Sequence, residues 1–168
     1  EPLQIRRHDI RLRRLSSGAL SLMDTFSIGF TQKNAEQFFT LLRKHQVRRV
    51  LDVRLHNASQ LAGFAKMPDL KFFLRELCQA DYLALPELMP TAPLLKSYRQ
   101  KLMSWDDYAL RFLDLMDQRC IERNLDKQLF EGGCLLCSEH QPHYCHRRLV
   151  LDYLNDRWQT HLNIVHLV

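Results

Sequence analysis

The sequence predicts an α/β fold: a mostly parallel sheet flanked by helices on both faces, in a single domain. Three observations carry this reading. Short apolar stretches of strand type alternate with longer segments whose apolar residues recur at helical spacing. The strand-type stretches are near-continuous apolar runs, as a sheet covered on both faces requires. Glycine, proline and polar clusters punctuate the joins. Such alternation builds parallel sheets wrapped by helices.

Each element has a local reason. "TFSIG" reads as the first strand, and Thr31 offers an N-cap for a helix with Ala35, Phe38, Phe39 and Leu42 on one face. "RRVLDVR" is an apolar strand with charged flanks, followed by the polar loop "LHNASQLAGFAK". Pro68 starts a helix that aligns Leu70, Phe73, Leu74 and Leu77. "DYLAL" reads as a third strand closed by Pro86, and "TAPLLKSYRQKL" as a short helix. Ser104 and Asp107 fit a capping box opening a long helix, with Trp105, Tyr108, Phe112, Leu115 and Met116 facing inward. Gly132 and Gly133 precede the strand "CLLC". The last helix runs from about Cys145 to Trp158, and "HLNIVHL" closes as a strand.

Composition narrows the function classes. The 168 residues fit one core, and 46% hydrophobic with 26% charged residues is ordinary for a globular protein. No apolar run approaches the roughly 20 residues that span a bilayer, so no membrane partner is expected. Five cysteines, several in apolar surroundings, point to reduced thiols and a cytoplasmic location. Residues 1–22 hold five arginines against Glu1 and Asp9, so they carry most of the net charge of +5. They read as a basic N-terminal extension, with residues 23–168 as the domain. The alternative is a basic arm for nucleic acid, but the body is only mildly basic.

The richest stretch is "CLLCSEHQPHYCHRRLVLDYL", Cys134 to Leu154. Cys134 and Cys137 lie three apart on a strand and point to opposite faces, which argues against a structural zinc pair. No arginine stands six positions after Cys137 or Cys145, which disfavours phosphatase and rhodanese loops. What remains is a helix that begins with Cys145, His146 and Arg147 beyond a strand ending near Glu139. A helix N-terminus lowers a thiol's pKa and holds anions. His146 and Glu139 are candidates for proton transfer, Cys145 for a thiolate or donor, and Arg147 for an anion clamp. Each also has a plain structural reading: a buried first-turn cysteine, a packing histidine, an arginine paired with Glu139.

"LDVRLHNASQ" gives a second constellation. Asp52 and Arg54 share a strand face, either as a structural pair or as part of an anion site with Asn57 and Ser59 assisting. In "SIGFT", Gly29 permits a tight strand-to-helix turn and Thr31 adds a hydroxyl. In parallel sheets, ligands sit beyond the carboxyl ends of the strands, where these segments fall.

"FSIGFT", "VLDVRLHNASQLAGF", "YLALPELMPT" and "CLLCSEHQPHYCHRRLVLDYL" together resemble the domain of unknown function 488 family, from about Asp24 to the C-terminus. The resemblance implies a compact bacterial or archaeal α/β domain with no assigned reaction. It supports Asp52, Arg54, Cys137, Glu139, Cys145, His146 and Arg147 as motif positions. Many members have glycine-histidine-serine after the first strand, where this chain has Gly29, Phe30 and Thr31.

The leading expectation is a polar pocket for an anionic ligand, a nucleotide, phosphate or nucleic-acid fragment, with Arg54 and Arg147 in one pocket. No metal or cofactor is assigned. The alternatives are a non-catalytic nucleic-acid or protein binding module, and a metal site using Cys145 and His146 with Cys137 or Glu139.

Overall fold

The computed structural model describes residues 22–58, 62–158 and 161–168. The basic segment before Leu22, together with Ser59 and Gln60, lies outside these residues. Five strands form one all-parallel sheet: β1 (Met23–Gly29), β2 (Arg49–Asp52), β3 (Asp81–Ala84), β4 (Gly133–Cys137) and β5 (Leu162–Leu167). Their order is β3-β2-β4-β1-β5. All five residues of β4 are buried, because neighbours cover both its edges and helices cover both its faces. Among the described residues, no helix is long and apolar enough to cross a membrane.

Alternation along the strands divides two cores. Phe26 and Ile28 of β1, Val50 of β2, and Cys134 and Leu136 of β4 pack with α1 (Ala35–Lys44) and α2 (Asp69–Phe73). Leu51, Leu135 and Cys137 face the other way, against α4 (Trp105–Gln118), α5 (Ile121–Asn124) and α6 (His146–Arg157). Cys134 and Cys137 therefore point to opposite faces, as the strand spacing requires. The short helix α3 (Ala92–Arg99) packs beside α4.

Local chemistry explains the ends, with three departures from expectation. Asn34, not Thr31, caps α1: its side chain accepts from the Gln37 amide, and Gln37 returns to the Asn34 amide, a complete capping box. Gln32 adopts a left-handed φ of 60°, which delays the helix start by three residues. Thr31 instead donates its hydroxyl to the Ser138 carbonyl at 2.7 Å, tying β1 to β4. After Phe73, α2 widens into a π turn at Leu74–Cys78, and Leu77 leaves the apolar face, 47% exposed. Ser104 caps α4 through the Asp107 amide, but its hydroxyl donates to the Asp107 carboxylate. The return bond of a capping box is replaced by that one.

The apolar faces of α1 and α6 follow the helical spacing. Phe38, Phe39 and Leu42 are buried in α1. Leu149, Val150, Tyr153 and Leu154 are buried in α6, with Trp158 at its C-cap.

Candidate functional site at the carboxyl edge of the sheet

The connections leaving β1 and β2 run over the α1/α2 face, and the one leaving β4 runs over the α6 face. β4 lies between β1 and β2, so the chain departs to opposite sides at neighbouring strand ends. That divergence opens a crevice at the carboxyl edge. A cleft of about 840 Å³ lies there. Thr31 follows β1 into it, Arg54, His56 and Asn57 follow β2, and Cys137, Glu139, Cys145 and His146 come from β4 and the start of α6.

Cys137, Cys145 and His146 meet at the buried floor, their ligand-type atoms all within 4.8 Å of one another. His146 Nε2 lies 2.9 Å from the Val53 carbonyl oxygen, which can only accept, so Nε2 carries a proton. That leaves Nδ1 toward the Cys137 sulfur, 3.7 Å away. The hydrogen bond from Cys145 holds the Cys137 thiol well below its usual pKa against the effect of burial, and His146 and Arg147 add to the shift. Burial and the bond to Cys137 push the Cys145 thiol up. Burial works against a charged His146 ring, but the Cys137 sulfur beside it raises its pKa.

Arg147 does not reach this cleft. It is fully buried on the α6 face, donating from Nε to Ser27 Oγ at 3.1 Å and from its terminal nitrogens to the carbonyls of Glu139 and His140. Its pairing with Glu139 is through the backbone, not the carboxylate. Gly29 belongs to this arrangement. A Cβ there would collide with the Glu139 carbonyl and crowd Arg147, so close packing, not a left-handed turn, requires glycine.

Arg54 lies on the α1/α2 side. It grips Asp52 with Nε and Nη2 at 2.8 and 2.7 Å, donates from Nη1 to the Ala65 carbonyl and rests over the Phe30 ring. Asp52 also accepts from the Arg54 amide and the Tyr82 hydroxyl. Burial and that hydrogen bond push the Tyr82 phenol well above its ordinary pKa. Asn57 Nδ2 donates to the same hydroxyl at 3.3 Å. The expectation of two arginines in one pocket is therefore corrected. Arg54 borders the cleft, while Arg147 belongs to the other face and gives its donors to Ser27 of β1 and to the loop after β4.

The cleft's second wall carries no motif in the sequence. Tyr98 and Arg99 of α3, Trp105 and Tyr108 of α4, and Tyr144 line it. Trp105 stacks with Tyr108 at 5.5 Å, Tyr98 lies 4.7 Å from Tyr108, and Tyr144 packs edge-on to Trp105 at 5.6 Å. The spacing of Trp105 and Tyr108 marks an inward face, but only the fold shows that this face ends at a cleft.

A family model described as Domain of unknown function DUF488 matches residues 34–154. The chain belongs to this family. The matched span includes β2, β4, α6 as far as Leu154, and every floor residue of the cleft. No curated protein and no solved structure matches the chain.

Proposed function

We propose that the cleft binds a small anionic ligand carrying a planar ring, a mononucleotide or a closely similar phosphorylated compound. The observation that carries this reading is one cleft lined both by an aromatic cluster and by basic or N–H-donating groups. Tyr98, Trp105 and Tyr144 offer ring faces or edges, which are sequence-tolerant partners for a base. Arg99, exposed at the rim, offers a bidentate donor to phosphate. The amino end of α6 adds partial positive charge, since its N-cap residue Cys145 makes no side-chain cap and lines the cleft. Arg54 is a weaker anion partner, because Asp52 already neutralises it. Glu139, the exposed carboxylate of the cleft, is the group placed for proton transfer to a bound ligand.

A thermal-shift series tests this. The ligands are adenosine monophosphate, adenosine, ribose 5-phosphate and inorganic phosphate, each on the full chain. Saturating adenosine monophosphate should raise the midpoint by about 5–10 °C, with smaller shifts for ring alone or phosphate alone. No shift with any nucleotide base, or equal shifts with inorganic phosphate, contradicts the reading.

A further inference from the structure

From the floor of the cleft we infer that Cys137, Cys145 and His146 form an open three-ligand site for zinc(II). This inference stands apart from the nucleotide reading, because it rests on different atoms.

The donor set is chemically matched. Two thiolates and one imidazole are ligands that zinc takes, and three protein ligands with a vacant fourth position mark a site that works on something. The three side chains line the cleft, so the fourth position opens where a ligand oxygen or water would arrive. The dimensions agree as well. Sulfur at about 2.3 Å and nitrogen at about 2.0 Å from one tetrahedral ion lie about 3.5 Å apart. The Cys137 sulfur and His146 Nδ1, 3.7 Å apart, match that spacing, and with the Cys145 sulfur the three donor atoms lie within 4.8 Å of one another, so small side-chain movements close them onto one ion.

The surroundings point the same way. A metal-binding histidine generally gives its other ring N–H to a carbonyl or carboxylate, which fixes the ring and the tautomer. His146 does so toward Val53, and Nδ1 is left for the ion. Arg147 supplies a second feature. Its guanidinium is fully buried, and among the described residues no carboxylate lies within ion-pair distance of it. Its Nη1 is 3.6 Å from the Cys145 sulfur. That N–H donor favours the Cys145 sulfur as a thiolate, the form a metal ligand takes. Both sulfurs bind as thiolates, so each thiol proton present before binding leaves to solvent as Zn(II) enters.

Cobalt(II) titration of the full chain, stripped with chelator and kept under a non-thiol reductant, tests the site. About one equivalent should bind, with a sulfur-to-cobalt charge-transfer band in the near ultraviolet and the visible absorption of a tetrahedral ion. C137S and C145S should each weaken binding at least tenfold and diminish the band, whereas C120S should leave both unchanged. Alkylation of the unmutated protein keeps the test decisive where a variant fails to fold. Zinc should shield Cys137 and Cys145, read by peptide mass, and leave Cys78 and Cys120 open. Binding below about 0.1 equivalent, a band that survives in both serine variants, or no shielding of Cys137 overturns the site. Nucleotide binding is measured on the chelator-treated protein, so loss of one reading leaves the other standing.

Discussion

The His146 ring is pinned between two strand ends: Nε2 lies 2.9 Å from the Val53 carbonyl after β2, and Nδ1 faces the Cys137 sulfur at the end of β4. One side chain from the first turn of α6 thus joins the two strands beneath the cleft. A glutamine at this position keeps one donor but not the sulfur-facing nitrogen. H146Q should therefore fold, with a stability loss of about 1–3 kcal/mol in urea unfolding, and should bind cobalt at least tenfold more weakly.

Asp52 and Arg54 form a buried pair with Tyr82 as a third member. Removing one charge leaves the other stranded in a core, which costs about 3–5 kcal/mol. D52A and R54A should each lower the unfolding free energy measured in urea by that order, and Y82F by about 1.5–3 kcal/mol, since a hydrogen bond to a charged group is lost. Equal, small losses in all three would show that the pair is not coupled to the core.

G29A should destabilise the chain by about 1–3 kcal/mol, because the added methyl meets the Glu139 carbonyl and must displace the loop that Arg147 holds. The same substitution at Gly63, where nothing among the described residues lies within reach of a Cβ, should change the midpoint little. Paired urea unfolding of the two variants compares them.

His166 gives stability a pH dependence. Its Nδ1 lies 2.7 Å from Ser27 Oγ, which in turn accepts from Arg147. Burial, then the Arg147 charge, lowers its pKa below the ordinary 6.5. The unfolded chain therefore takes the proton first. This contribution is full above about pH 6.5 and is lost as pH falls through the lowered value. H166Q should flatten the stability profile between the two values, while the wild type loses stability on acidification.

Parts of this structure were legible because their signals are local. The spacing of Leu149, Val150, Tyr153 and Leu154 alone marks the buried face of α6, and strand parity alone separates Cys134 from Cys137. Helix starts depended on backbone turns that residue type does not fix: Gln32 moves the cap of α1 from Thr31 to Asn34. The candidate site was legible only in part. Cys145, His146 and Glu139 do reach the cleft, but which face receives Arg54 and which receives Arg147 is decided by packing between distant elements. The aromatic wall was hidden for the same reason, since Tyr98, Trp105 and Tyr144 converge only when α3, α4 and the loop before α6 are assembled. Ser59 and the basic segment before Leu22 lie outside the described residues, so those two expectations stand as sequence readings.

Binding should respond to the walls of the cleft in a graded way. Y144A removes an exposed ring and R99A an exposed guanidinium, so each should fold normally and weaken adenosine monophosphate by about tenfold in calorimetric titration. L110A, at an exposed apolar position on α4 that does not line the cleft, should not.

The most direct test of the ligand-binding claim is a crystal of the full chain soaked with adenosine monophosphate. Density for the base is expected against Trp105, Tyr98 or Tyr144, with the phosphate near Arg99 and the amino end of α6. A nucleotide bound elsewhere, such as the groove lined by Asp114, Asp117, Asp152 and Asp156, or an empty cleft at saturating ligand, would contradict that claim.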